Sequence, residues 1–132
     1  MAIHIQWDND EQTRFLYHFD AAWVWDEFFA AKDRAKIMMD AVSHKFAVII
    51  DLTEVSRLPA DSLARARNAL RSGHPGAFFI VLVVPHPVVR TVIGTLRDIA
   101  PLSPRSIEIA SSLDEARTMV DQHLLAYKPS GG

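Results

Sequence analysis

The sequence predicts an α/β domain built on a mixed five-stranded sheet, an N-terminal antiparallel hairpin followed by parallel strands, flanked by four helices in the order ββαβαβαβα. Three observations carry this. Two segments near the N-terminus, "IHIQW" and "RFLYHF", alternate side chains with the period of a strand. Two later blocks, "FAVII" and "AFFIVLVV", are continuous apolar runs, the pattern of parallel strands covered by helices on both faces. Between and after them, apolar residues recur at spacings of three and four, the period of a helix packing one face inward.

Size and composition set the frame. A chain of 132 residues suits one domain and can bury a core without a covalent staple, and 49% hydrophobic with 23% charged residues is ordinary globular composition. The sequence contains no cysteine, so a disulfide framework is excluded. The first ten residues do not pair a basic region with an apolar one, and the longest apolar block, Ala77 to Pro85, is too short to cross a bilayer. A cytoplasmic location with no integral membrane segment is therefore expected. Charge is uneven: residues 1–56 carry −5, residues 57–105 carry +5 and residues 106–132 carry −2. The basic middle suits an acidic partner or a phosphate, but it lacks a nucleic-acid motif and interleaved aromatics. Nucleic-acid binding is not expected, and solvated helix faces account for the arginines.

The elements follow in order. Ile3, Ile5 and Trp7 alternate with His4 and Gln6, and Phe15, Tyr17 and Phe19 alternate with Leu16 and His18, with turn chemistry in "DNDEQ" between them. A hairpin places His4 and His18 where they face each other. Asp20 is a candidate N-cap, its short acceptor chain satisfying free amides of the next helix. The inward stripe of that helix reads Val24, Phe28, Ala31, Ala35, Met38 and Val42. Trp25 and Phe29 then fall to one side, on an edge shared with Lys32 and Lys36. After the strand at Phe46, Pro59 suits a first helical position, with Leu63, Ala66 and Leu70 facing in. After the strand at Ala77, a helix is predicted over residues 88–99, with Val89, Val92, Ile93 and Leu96 buried. "SIEIA" is a last short strand, and Ser112 with Glu115 forms a capping box before an apolar row of Leu113, Ala116, Val120 and Leu124. One domain over residues 1–127 results, with a frayed tail over 128–132.

The stretch "VIIDLTEVSRLPADSL" resembles the central pattern of the STAS domain, the fold shared by anti-sigma-factor antagonists and the cytoplasmic tails of sulfate transporters. Asp51, Leu52, Thr53, Val55 and Leu63 match that pattern of apolar strand, Asp-Leu-Ser, valine and helix-opening Asp-Ser-Ser-Gly-Leu without a gap. "FDAAW" and "IEIASSLDEARTMV" are similar to other parts of the family, so the resemblance covers nearly the whole chain. It implies a bacterial, non-enzymatic regulatory module that binds a protein partner of the kinase or sigma-factor-regulator type. The family's antagonists carry a phosphorylatable serine in this turn. Here Ala60 stands at that position and cannot accept phosphate, while Asp61 supplies a smaller permanent charge to the first helical turn. The departure implies a member that does not switch by phosphorylation there. A branch lacking the serine and associated with membranes or apolar ligands is the alternative.

The candidate sites are these. The turn after a parallel strand lies at the carboxyl edge of the sheet, where free helix amides attract anions or partner side chains. Asp51, Thr53, Ser56, Arg57, Asp61 and Ser62 form the expected partner-binding edge; the plainer reading is that Asp51 and Thr53 satisfy strand-end backbone. His86 and Arg90 in "PHPVVR" are a candidate ligand rim beside it. Trp25, Phe29, Lys32 and Lys36 read either as peripheral core packing or as an exposed patch for a homodimer or a membrane surface. His4 and His18 lack a third neighbouring ligand in the sequence, so no metal site and no cofactor are expected. "DND" at Asp8 to Asp10 reads as a hairpin turn. Aspartyl phosphorylation would also need a lysine at a later strand end, and Lys32, Lys36, Lys45 and Lys128 are not placed there.

Overall fold

A computed structural model of the chain describes residues 2–55, 58–59, 64–65, 68–69, 73–87, 89–91, 94 and 106–126. Five strands, β1 (Ile3–Trp7), β2 (Arg14–Phe19), β3 (Phe46–Asp51), β4 (Ala77–Val83) and β5 (Ser106–Ala110), form one sheet in sequential order. β1 and β2 pair antiparallel, and every later pairing is parallel. Helices α1 (Trp25–Asp40) and α2 (Leu113–Ala126) are described along their length. Helical residues also occur at 64–65, 68–69, 87, 89–91 and 94. The expected row of Leu63, Ala66 and Leu70, most of the helix predicted over 88–99, and the tail 128–132 lie outside the described residues.

The apolar runs are strands because both of their faces are covered. On one face Phe15, Tyr17, Phe19, Phe46, Val48, Ile80 and Leu82 pack with Trp25, Phe28, Ala31, Ala35 and Met39 of α1. On the other, Leu16, Ala47, Ile49, Phe79, Val81 and Val83 pack with Ala116 and Val120 of α2. Alternate residues of one strand thus feed two separate cores. The second face runs out of cover toward β1, where His4 and Gln6 are exposed.

Two expectations about α1 are corrected. The helix begins at Trp25 rather than after Asp20, and the Val24 amide donates to Glu27 Oε1 at 3.1 Å, while the Asp20 amide donates to the Ala2 carbonyl at 2.8 Å. The inward stripe keeps Phe28, Ala31 and Ala35, with Met38 and Val42 partly buried on the same core, but it differs at its ends. Trp25 and Met39 are buried where Val24 and Met38 were expected, and Val24 is 54% exposed. The aromatic rings drive this shift, since Trp25 buries far more apolar surface than Val24 against Trp23 and Phe28, whose ring centroids lie 5.0 and 5.6 Å away. Of the two readings of this edge, Trp25 takes that of core packing. Trp25 belongs to the core, Lys32 is half-buried with Nζ 3.4 Å from the Ala69 carbonyl, and Lys36 pairs with Asp40 at 2.6 Å. Phe29 alone of the two rings is exposed, at 38%.

The hairpin turn carries more than turn chemistry. Asn9 Oδ1 accepts from the Thr13 and Arg14 amides at 3.0 and 3.2 Å, and Gln12 takes the left-handed conformation the loop needs, at φ 55°. Asp8 lies almost fully buried between two arginines: Arg117 holds both its oxygens at 2.9 Å, and Arg14 Nε holds one at 2.7 Å. Burial alone would raise the Asp8 pKa, but Arg117 and Arg14 outweigh it and hold the carboxyl below its usual range. The reciprocal capping box before α2 is likewise modified. Glu115 N donates to Ser112 Oγ at 3.1 Å, but the Glu115 carboxylate reaches back to Ser111 N at 3.3 Å.

Two outcomes follow from this packing. Trp25→Ser is expected to destabilise the fold by about 3 kcal/mol, and Phe29→Ser by less than about 1 kcal/mol, in urea unfolding; equal costs would restore the exposed-patch reading. Asp8→Ala, which takes the enclosed carboxylate from between Arg14 and Arg117, is expected to cost about 3 kcal/mol in the same measurement.

Candidate functional site

The carboxyl edge of β2 and β3 collects the chemistry. Asp51 ends β3 and is buried, at 4% exposure. A carboxylate survives burial only if its oxygens are satisfied. Oδ1 accepts from the Thr53 amide at 3.0 Å and from the Thr53 hydroxyl, which closes an Asx turn. The Leu52 amide donates to the Val83 carbonyl of β4, and the Val55 amide donates to the Leu52 carbonyl, each at 3.0 Å. Leu52 and Val55 are buried beneath the turn, so its tip, Thr53 and Glu54, stands exposed on an anchored base.

The second Asp51 oxygen binds His18. Registers place His4, His18 and Asp51 side by side on three neighbouring strands. His18 donates from Nδ1 to Asp51 Oδ2 at 2.9 Å and from Nε2 to Glu54 Oε2 at 2.6 Å. His4 faces it as the hairpin predicts, with ring centroids 6.1 Å apart, and its Nε2 lies 3.3 Å from Asp20 Oδ2. Partial burial of His18 would lower its pKa, but the hydrogen bonds from Asp51 and Glu54, with their negative charge, outweigh that and raise it above the ordinary value of 6.5. One imidazole held between two carboxylates is an imidazolium clamp joining β2 to the turn after β3.

The expected site residues distribute as follows. Asp51 and Thr53 lie at the edge as expected, and both do what the plainer reading gave them: they satisfy and shape the strand end. Ser56, Arg57, Ala60, Asp61 and Ser62 lie outside the described residues. His86 and Arg90 follow the end of β4 on the same edge of the sheet, with the Arg90 amide bonded to the His86 carbonyl at 2.8 Å. Arg90 Nη1 donates to Ser111 Oγ at 2.9 Å, tying the helical residues after β4 to the loop after β5, and His86 Nδ1 is buried with no hydrogen-bond partner among the described residues. The histidine pair has acidic neighbours that the sequence does not place beside it: Asp20 lies by His4 and Glu54 by His18, and His18, Asp20 and Glu54 bring one donor atom each within 4.8 Å of one another. The sequence gives one usable signal for this, a histidine two residues before Asp20, which follows the end of β2. Glu54 enters only through the turn geometry.

No family model, curated protein or solved structure matches the chain. No helix of the described residues is long and apolar enough to cross a membrane.

The clamp sets a pH dependence with a definite sign. Because the folded-state pKa of His18 is raised, its stabilisation is complete below the unfolded value of about 6.5 and is lost as pH rises through the folded value. Wild type should exceed His18→Gln in urea midpoint by more at about pH 5.5 than at about pH 8.5; a gap that widens with pH would contradict the clamp.

Proposed function

We propose that this chain is a non-enzymatic regulatory module of the STAS type, docking a protein partner through the turn that follows β3. The observation that carries this reading is the construction of that turn. Its base is fixed by the buried Asp51 and by Leu52 and Val55, while Thr53 and Glu54 are presented to solvent. Rigidity of this kind reduces the ordering cost of association. Asp51 spends its oxygens on the turn and on His18, which makes it a structural carboxylate rather than a reacting one.

The partner's chemistry follows from the rim. Asp20 and Glu54 are exposed carboxylates at the edge, and a partner presenting lysine or arginine complements them. With Ala60 in place of the family's phosphoacceptor, the interaction is constitutive or is controlled by the partner. The alternative of an apolar ligand near α1 draws no support from the aromatic residues, which pack on one another: Phe19 on Trp23 at 4.7 Å and Trp25 on Phe28 at 5.6 Å.

A photo-crosslinking residue at position 53, introduced into the chain in its native host, is expected to capture one protein that the same residue at Gln122, exposed on α2, does not. Glu54→Lys should reduce that capture about tenfold. Equal capture at both positions, or none affected by Glu54→Lys, would reject the docking edge.

A further inference from the structure

We propose that His18, Asp20 and Glu54 form a binding site for a first-row divalent cation of the zinc or cobalt type. The set does not rest on the docking reading, because a chain without a protein partner retains the same side chains. The donors are chemically mixed: one imidazole nitrogen and one oxygen from each of two carboxylates, within 4.8 Å of one another. Ions of this type bond such atoms at about 2.0–2.2 Å, so a single ion fits among them after small side-chain movements. Glu54, 56% exposed at the tip of its turn, and Asp20, 45% exposed, are free to make those movements. The Nε2–Oε2 separation of 2.6 Å must open by somewhat under about 1 Å for both atoms to share one ion.

What distinguishes this corner from an acidic surface patch is the state of His18. Its Nδ1 is bonded to Asp51 Oδ2 at 2.9 Å, and Asp51 is itself buried and locked by Thr53. A metal-ligating histidine almost always gives its other ring N–H to such a carboxylate, which fixes the tautomer and aims the free nitrogen. Here the aimed nitrogen is Nε2, and it points at Glu54. The imidazole favours zinc or cobalt over the magnesium and calcium that all-oxygen sites prefer. Two carboxylates neutralise the ion's charge, and three protein ligands leave a fourth position for water or for a group on a bound molecule. His4 stands next to Asp20 at 3.3 Å, outside the three-ligand set.

Untagged full-length protein titrated with Co2+ should bind one ion per chain and develop visible d–d absorption, and Zn2+ should displace it. His18→Ala should abolish binding, and the exposed Glu54→Gln, which leaves the folded core untouched, should weaken it at least about tenfold. Asp51→Asn should weaken binding by about 10–100-fold while leaving the three ligands in place. His44→Gln, at the other end of β2 with its Nε2 on the Gln12 carbonyl at 2.7 Å, should bind as wild type. Absence of Co2+ and Zn2+ binding at millimolar concentration overturns the proposal. So does binding that survives Glu54→Gln unchanged or is lost in His44→Gln.

Discussion

The polar end of this fold hangs on one buried carboxylate. Asp51 terminates a strand whose neighbours on both faces are apolar, and leaving its charge there unpaired would cost several kcal/mol. Its two oxygens are used in different directions, one along the chain to Thr53 and one across the sheet to His18. The first fixes the path of the turn, and the second ties that turn to the hairpin. Remove the carboxylate and the two features of the edge, exposed tip and oriented imidazole, lose their common support.

The same strand explains why charge collects where it does. Residues 14, 16 and 18 of β2 share the face opposite α1, and only Leu16 is covered there by the second core. Arg14 and His18 flank it at the margin of that cover, and each must find counter-charges. Arg14 finds Asp8, which Arg117 of α2 also holds, and Asp121 at 3.0 Å; His18 finds Asp51 and Glu54. Two ionic clusters thus bracket one apolar contact. The Asp8 cluster joins a helix to the hairpin and is largely enclosed, whereas the His18 cluster opens to solvent on the Glu54 side. Enclosure makes the first a structural lock, and openness gives the second its chemistry.

Much of this was legible in the sequence, for definable reasons. Strand period and apolar runs depend on local pattern, and all five strands and the facing of His4 and His18 follow from it. The start of the buried stripe of α1 was not legible, because Val24 and Trp25 are both apolar and only the rings they meet decide between them. Gly76 shows a similar limit: its place beside Phe46, where an added Cβ would meet Cε1 at 2.7 Å, depends on a strand thirty residues earlier. The site was half legible. Asp51 and Thr53 are read from strand-end chemistry, but the meeting of Asp20, His18 and Glu54 depends on which strands are neighbours and on the course of a four-residue turn. The arginine pair on Asp8 is more distant still, since Arg117 lies 109 residues along the chain.

Burial sorts the two carboxylates that hold His18 into different roles. Asp51 cannot leave, because no water replaces its bonds; Glu54 can, because water is at hand and an exposed ion pair contributes little. The Nδ1 side of the ring is therefore permanent and the Nε2 side exchangeable. A proton shared with Glu54 and the proposed divalent ion would compete for the same few ångströms. Because metal binding requires an unprotonated nitrogen, the ion and the imidazolium clamp exclude each other. The conformation of the exposed tip is thus tied to whatever occupies the Nε2 side of the His18 ring.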